Sequence, residues 1–219
     1  MGMFCYQCQE TAGGKGCKVR GVCGKTEEVA KLQDLLIYTV KGIADIVVRG
    51  KLDVSGLHSV NREVLSSLFM TITNANFDDR ALEEQITRML AIRDELRKTV
   101  SADLSDAATF SAASRQSMLE KAATVGVLLT ADEDVRSLRE MILYGLKGMA
   151  AYAEHALNLG KEDPAIYAFL YEALAATLDD ALSADDLVAL TLRTGEHGVK
   201  VMALLDEANT SRFGHPEIT

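Results

Sequence analysis

The sequence has no cysteine after residue 23, no basic stripe and no long apolar run, and each absence removes a class of function. All four cysteines, Cys5, Cys8, Cys17 and Cys23, lie at the start of a 219-residue chain that is 48% hydrophobic. Disulfides staple small loop-rich domains, and a chain this rich in apolar residues does not need them. Clustered thiols in a reducing compartment read instead as metal ligands. With 23 basic against 32 acidic residues and a formal charge of −9, no nucleic acid is expected as a partner. No stretch of about 18 uncharged apolar residues is present, so no membrane partner is expected. Residues 1–10 lack a basic segment followed by an apolar one, which excludes a signal peptide. Gly2 opens like a myristoylation signal, but Tyr6 stands where Ser or Thr is required. The expectation is a soluble, cytoplasmic protein.

No period-two alternation occurs, and the apolar residues recur at helical spacing, so the predicted fold is all-α. The length suits one large domain or two small ones. Thr26 is a candidate N-cap, with Glu27 and Glu28 well placed against the helix dipole. Val29, Leu32, Leu36, Val40, Ile43 and Val47 then form an apolar stripe that ends at Gly50. A second helix is predicted over 59–73, and a third through Leu82, Ile86, Met89, Leu90 and Leu96. Residues 101–131 read as a junction with a short helix over 115–123. Asp132 caps a long helix to about Asn158, and Asp163-Pro164 opens the next. Ser183 and Asp186 form a capping box for the last, whose apolar residues include Leu187, Leu190, Val199, Met202 and Leu205. Gly195 and Gly198 are candidate kinks within it.

The chain repeats itself. "LIYTVKGIA" at Leu36–Ala44 aligns with "ILYGLKGMA" at Ile142–Ala150, and "FDDRALEEQI" from Phe77 resembles "LDDALSADDL" from Leu178. Two related three-helix bundles preceded by a Cys/Gly-rich loop follow from this pattern. The expected boundaries are 1–25 for the loop, 26–125 for the first bundle and 126–219 for the second.

The loop carries the chemistry. Its spacing is Cys-x2-Cys-x8-Cys-x5-Cys, with glycines at 13, 14, 16, 21 and 24 that let the backbone close round a centre and turn N–H groups toward sulfur. Lys15, Lys18, Arg20 and Lys25 form a basic island that would offset the negative charge of a thiolate-bound iron–sulfur cluster. Zinc also takes four thiolates, usually from two close pairs, and stays open as an alternative on spacing alone. A redox dithiol is disfavoured because no strand precedes Cys5. "GKT" at Gly24–Thr26 misses the phosphate-binding loop, since Val19 stands where that motif needs glycine. His58, His155, His197 and His215 are scattered and read as surface or packing residues. Met141, Met149, Tyr38 and Tyr144 read as packing, and the paired aspartates as turn and cap residues. No catalytic residue is assigned.

"MFCYQCQETAGGKGCKVRGVCGK", the following "EEVAKLQDLLIYTVKGIA" and the closing "LVALTLRTGEHGVKVMALLDEANTSRFGHPEIT" resemble the helical first domain of the hybrid cluster protein (prismane, hydroxylamine reductase) family. The resemblance covers essentially the whole chain. In the branch with this longer cysteine spacing it implies a 4Fe–4S cluster held by Cys5, Cys8, Cys17 and Cys23; another branch has a different spacing and a 2Fe–2S cluster. It also implies an oxidoreductase in which this cluster relays electrons from a redox partner to a hybrid iron–sulfur–oxygen centre. That centre takes its Cys, His and Glu ligands from two later domains, and no residue here matches them. The chain is therefore expected to be an excised domain, a proteolytic piece or a truncated product, with the remaining domains of its parent as partners. The alternatives from other classes are a free-standing iron–sulfur electron carrier and a zinc-stabilised helical interaction module.

Overall fold

The computed structural model describes residues 2–217. Among them are eight α-helices: α1 (Glu27–Arg49), α2 (His58–Met70), α3 (Asp79–Arg97), α4 (Asp106–Thr109), α5 (Arg115–Ala122), α6 (Glu133–Asn158), α7 (Pro164–Ala176) and α8 (Ala184–Phe213). No strand occurs among the described residues, and the all-α expectation holds. Local signals set most helix starts. Thr26 Oγ1 accepts from the Val29 N–H, Asp132 from those of Asp134 and Val135, and Asp163 from that of Ala165 ahead of Pro164. The Ser183–Asp186 capping box closes in both directions. Each cap satisfies N–H groups that the first helical turn leaves without a partner.

Other elements depart from the pattern. α2 stops at Met70 rather than 73, because the chain turns there and Asn74 adopts a left-handed conformation, φ 64°. α8 runs through Gly195 and Gly198 without interruption, so neither is a kink. Val199 and Met202, expected inward, are exposed at 68% and 55%. α1 is more than amphipathic. Leu35, Ile37 and Ile46, outside its stripe, are buried along with it. A helix apolar on most sides belongs at the centre of a fold, and α1 packs against α3, α4, α5 and α7.

The repeat has a spatial consequence. α1 packs chiefly on α3 and α7, and its counterpart α6 packs chiefly on α8 and α2. Each bundle therefore takes its middle helix from the other half of the chain. One continuous hydrophobic core results, running from Val29 through Leu68 and Ile86 to Leu146, Phe169 and Val201.

The junction is seated by a buried cation. Arg93 of α3, 1% exposed, donates to the carbonyls of Phe110 at 2.5 Å and Ala107 at 3.3 Å and lies over the Phe110 ring. A guanidinium in this position satisfies carbonyls that a short helix leaves unpaired. It ties α4 to α3, while the Ser105 N–H donates to Asp45 of α1 at 2.8 Å, and the N-terminal loop rests on the opposite end of α1.

Candidate metal centre

The loop before α1 is anchored by packing and by backbone pairing. Met3 and Cys17 are buried against Ala30 in the first turns of α1, with Cys5 beside them. Cys5 N–H donates to the Cys17 carbonyl at 3.0 Å, and Cys17 N–H returns to the Cys5 carbonyl at 2.8 Å. In an antiparallel pair, residues directly opposite project to one face, so the two thiols lie on the same side. Gly16 makes this pairing possible. Its φ is 124°, and a Cβ there would stand 2.5 Å from the Phe4 ring.

Polar groups converge on the paired thiols. The N–H of Ala12, and next that of Val22, hold the Cys17 thiol below its ordinary range despite burial. Thr11 Oγ1 donates to the Cys5 carbonyl and lies 3.7 Å from Cys17 Sγ. Lys25, 2% exposed, puts Nζ 3.9 Å from Cys5 Sγ and donates to Gln33 Oε1 at 2.6 Å. Of the basic island only Lys25 is buried at the thiols; Lys15, Lys18 and Arg20 are exposed. Lys25 and Thr26, the residues of the "GKT" near miss, are thus taken up by the thiols and by the helix cap.

Cys8 is half-buried, and its carbonyl accepts from the Thr11 N–H. Cys23 is exposed at the far end of the loop, in a turn closed by Gly21 N–H to the Lys25 carbonyl at 2.8 Å. All four cysteines are free thiols. The loop brings Cys5 and Cys17 together but does not gather three or more ligating residues. Among the described residues no group of three His, Cys, Asp or Glu stands at metal-binding separation. The donor set nonetheless suits a thiolate-bound centre: four thiols on one loop, backbone N–H groups aimed at sulfur and a buried ammonium beside it.

The histidines take no part. His58 Nδ1 lies 3.2 Å from a Glu162 oxygen, His155 packs edge-on to Phe69, and His197 stacks on Phe169 at 3.8 Å. His215 lies exposed beyond α8.

Periodicity did not reveal the floor of the loop. Gln7 Oε1 accepts from Thr73 Oγ1 at 3.2 Å and from Lys147 Nζ at 3.5 Å, and Lys147 also donates to the Thr71 carbonyl at 3.1 Å. Lys147 is 3% exposed, and burial lowers its ammonium to about 8, against the opposing fields of Glu140 and Asp34. Asp34 is pushed up to about 7, by burial first and then by Glu140, with Lys147 opposing. The signal was in the repeat, whose register equates Asp34 with Glu140 and Lys41 with Lys147.

A group whose folded pKa is raised favours the folded state while protonated. Asp34 therefore contributes stability that is complete below about pH 4 and is lost as pH rises toward 7. At about 1.4 kcal/mol per unit this is at most roughly 4 kcal/mol. Asp34→Asn is expected to remove that loss, so that its stability relative to the unsubstituted chain rises between pH 4 and 7. Urea unfolding across this range checks it; a constant difference between the two chains would contradict the assignment.

Fold and loop together define a helical domain with a thiol-rich, N–H-lined N-terminal loop. The family model described as "Prismane/CO dehydrogenase family" matches residues 3–219, and the chain belongs to that family. It is 74% identical over 220 residues to a hydroxylamine reductase of Acetivibrio thermocellus. It is 56% identical over 227 residues to one of Clostridium perfringens, and 56% identical over 220 to one of Desulfovibrio desulfuricans. These matches cover 99–100% of this chain but only 40–41% of each relative, so the chain spans about two fifths of their length.

Proposed function

We propose that Cys5, Cys8, Cys17 and Cys23 hold a 4Fe–4S cluster, and that this domain relays electrons from a redox partner toward a catalytic centre carried by the rest of a longer protein. The observation that carries the reading is the N-terminal loop itself. It has four free thiols, two of them paired across a backbone bridge, with N–H groups directed at Cys17 Sγ and an ammonium at Cys5 Sγ. Bound there, a cluster would supply one-electron transfer. The chain's own residues would fix the thiolates, lower their charge through N–H donors and Lys25, and shield Cys17 from water.

The relatives are named hydroxylamine reductases, and hydroxylamine reduction to ammonia and water takes two electrons and two protons. In this reading those electrons pass through the present domain, and the bond-breaking step occurs beyond it. The cytoplasm, which keeps thiols reduced, is the compartment that suits such a loop. Among the described residues no helix is long and apolar enough to cross a membrane.

The isolated chain, reconstituted under anaerobic conditions, is expected to take up electrons from reduced viologen and to turn over no hydroxylamine. Steady turnover by this chain alone would overturn the assignment of relay rather than catalyst.

A further inference from the structure

α1 and α6 are repeat partners, but their backbones do not lie in close contact. A polar cavity of about 70 Å³ lies between them, enough for more than one water molecule. The repeat lines it twice over. Asp34 and Lys41 come from α1, Glu140 comes from α6, and Lys147, one α-helical heptad beyond Glu140, stands within the field of both carboxylates. Arg136 and Arg139 of α6 also face it. Arg139 is 8% exposed and is held by the Asp179 carbonyl and Asp180 at 2.7 and 2.9 Å, yet its Nε has no partner. The Tyr144 and Tyr6 hydroxyls, within the field of Glu140, are also buried without a partner. Tyr38 completes the cavity wall on α1. Buried polar atoms that lack partners mark a place for water.

The cavity has a neighbour on each side. Asp34 also lines a second, apolar cavity of about 230 Å³ that opens beside Gly2, Met3 and Phe4. On the loop side Lys147 meets Gln7, between Cys5 and Cys8, and Lys25, whose field reaches Asp34 and Lys147, stands 3.9 Å from Cys5 Sγ. The charged cluster is therefore linked to the loop through Gln7 and Lys25, and Asp34 is shared with the cavity beside residues 2–4.

We propose that Asp34, which shares this cavity with Glu140, is a proton-binding site coupled to the charge on the cysteine loop, taking up a proton when an electron arrives there. The proposal rests on the cluster reading above. The electron comes from the redox partner and the proton from solvent. The one bond made is O–H on the Asp34 carboxylate, so the net charge of loop and cavity together stays constant. Burial and the charge of Glu140 strengthen the hold of Asp34 on a proton, and Lys147, Lys25 and Lys41 oppose it. Added negative charge nearby strengthens that hold. Asp34, poised at about 7, is suited to exchange a proton in the physiological range.

The test uses the full chain, reconstituted anaerobically with iron and sulfide, in a redox titration followed by electron paramagnetic resonance from pH 5.5 to 8.5. The expected result is a reduction equilibrium that falls with rising pH, approaching tenfold per unit, which is 59 mV for one electron. A pH indicator should register proton uptake on reduction of the unsubstituted chain. Asp34→Asn/Glu140→Gln should flatten the dependence; where that chain does not fold, each single substitution should reduce it. A pH-independent potential in a chain that holds its cluster overturns the coupling and leaves the ligand assignment standing. An undiminished slope in the folded variants overturns the choice of residues. A chain that assembles no cluster overturns the ligand assignment, and the coupling with it.

Discussion

Replacing Gly42 by alanine is expected to cost at least about 3 kcal/mol and to lower the unfolding temperature by roughly 6–12 °C. Gly42 lies in α1 where α4 crosses it. A Cβ there would stand 2.1 Å from the Ala107 carbonyl oxygen, 2.5 Å from its carbon and 2.9 Å from the Ala108 nitrogen. All three are backbone atoms, so no side chain can swing aside. α4 cannot retreat freely either, because Arg93 holds the Ala107 and Phe110 carbonyls and Asp45 of α1 accepts from the Ser105 N–H at 2.8 Å. The repeat supplies the control. Gly148 occupies the equivalent place in α6, and nothing lies within 4 Å of its added Cβ. Gly148→Ala should therefore be neutral or stabilise by about 0.5–1 kcal/mol through helix propensity. Thermal unfolding of both variants checks the pair. Equal effects would mean that α4 does not seat on α1 as described.

Serine in place of Cys17 is expected to reduce the iron retained after anaerobic reconstitution at least tenfold, with the visible absorbance of the cluster lost in proportion. A serine hydroxyl does not ionise at neutral pH and is a poor ligand for iron. At this position the N–H groups of Ala12 and Val22, with Lys25, are arranged to favour an anionic sulfur. Cys5→Ser should behave alike, since its thiol shares the face of the backbone bridge and lies nearest Lys25. Cys8 and Cys23 test a different point. They stand apart from that pair, and in the four-ligand reading their serine variants must also lose iron. Circular dichroism separates loss of cluster from loss of fold. A Cys23→Ser chain with full iron and unchanged spectra would reduce the ligand set to three.

How much of this was legible in the sequence depended on whether the determinant was local. Thr26, Asp132, Asp163 and Ser183 marked helix starts correctly because an N-cap acts within three residues of itself. Gly50 closed α1 where the stripe ended. Facing was less legible. Val199 and Met202 fit a helical spacing but point outward, since α8 buries only the narrow face it turns toward α6 and α7. The exchange of α2 and α7 between bundles was not legible at all. Periodicity says which face is buried and is silent on what covers it. The repeat promised symmetry, and Gly42 against Gly148 shows where symmetry fails: α4 packs on α1 from the junction.

The candidate site divides in the same way. The cysteine spacing stands out in the sequence, but the Cys5–Cys17 bridge and the burial of Lys25 depend on how the loop folds onto α1. Asp34, Lys41, Glu140 and Lys147 were in plain view within the repeat. Their meaning emerges only when α1 and α6 face each other across a polar cavity, which no one-dimensional pattern encodes.

In the proposed reading Cys5, Cys8, Cys17 and Cys23 hold an iron–sulfur cluster rather than another metal. Iron, acid-labile sulfide and zinc analysis of the anaerobically purified chain tests it most directly. About four irons and four sulfides per chain with little zinc are expected. About one zinc per chain without sulfide would contradict it.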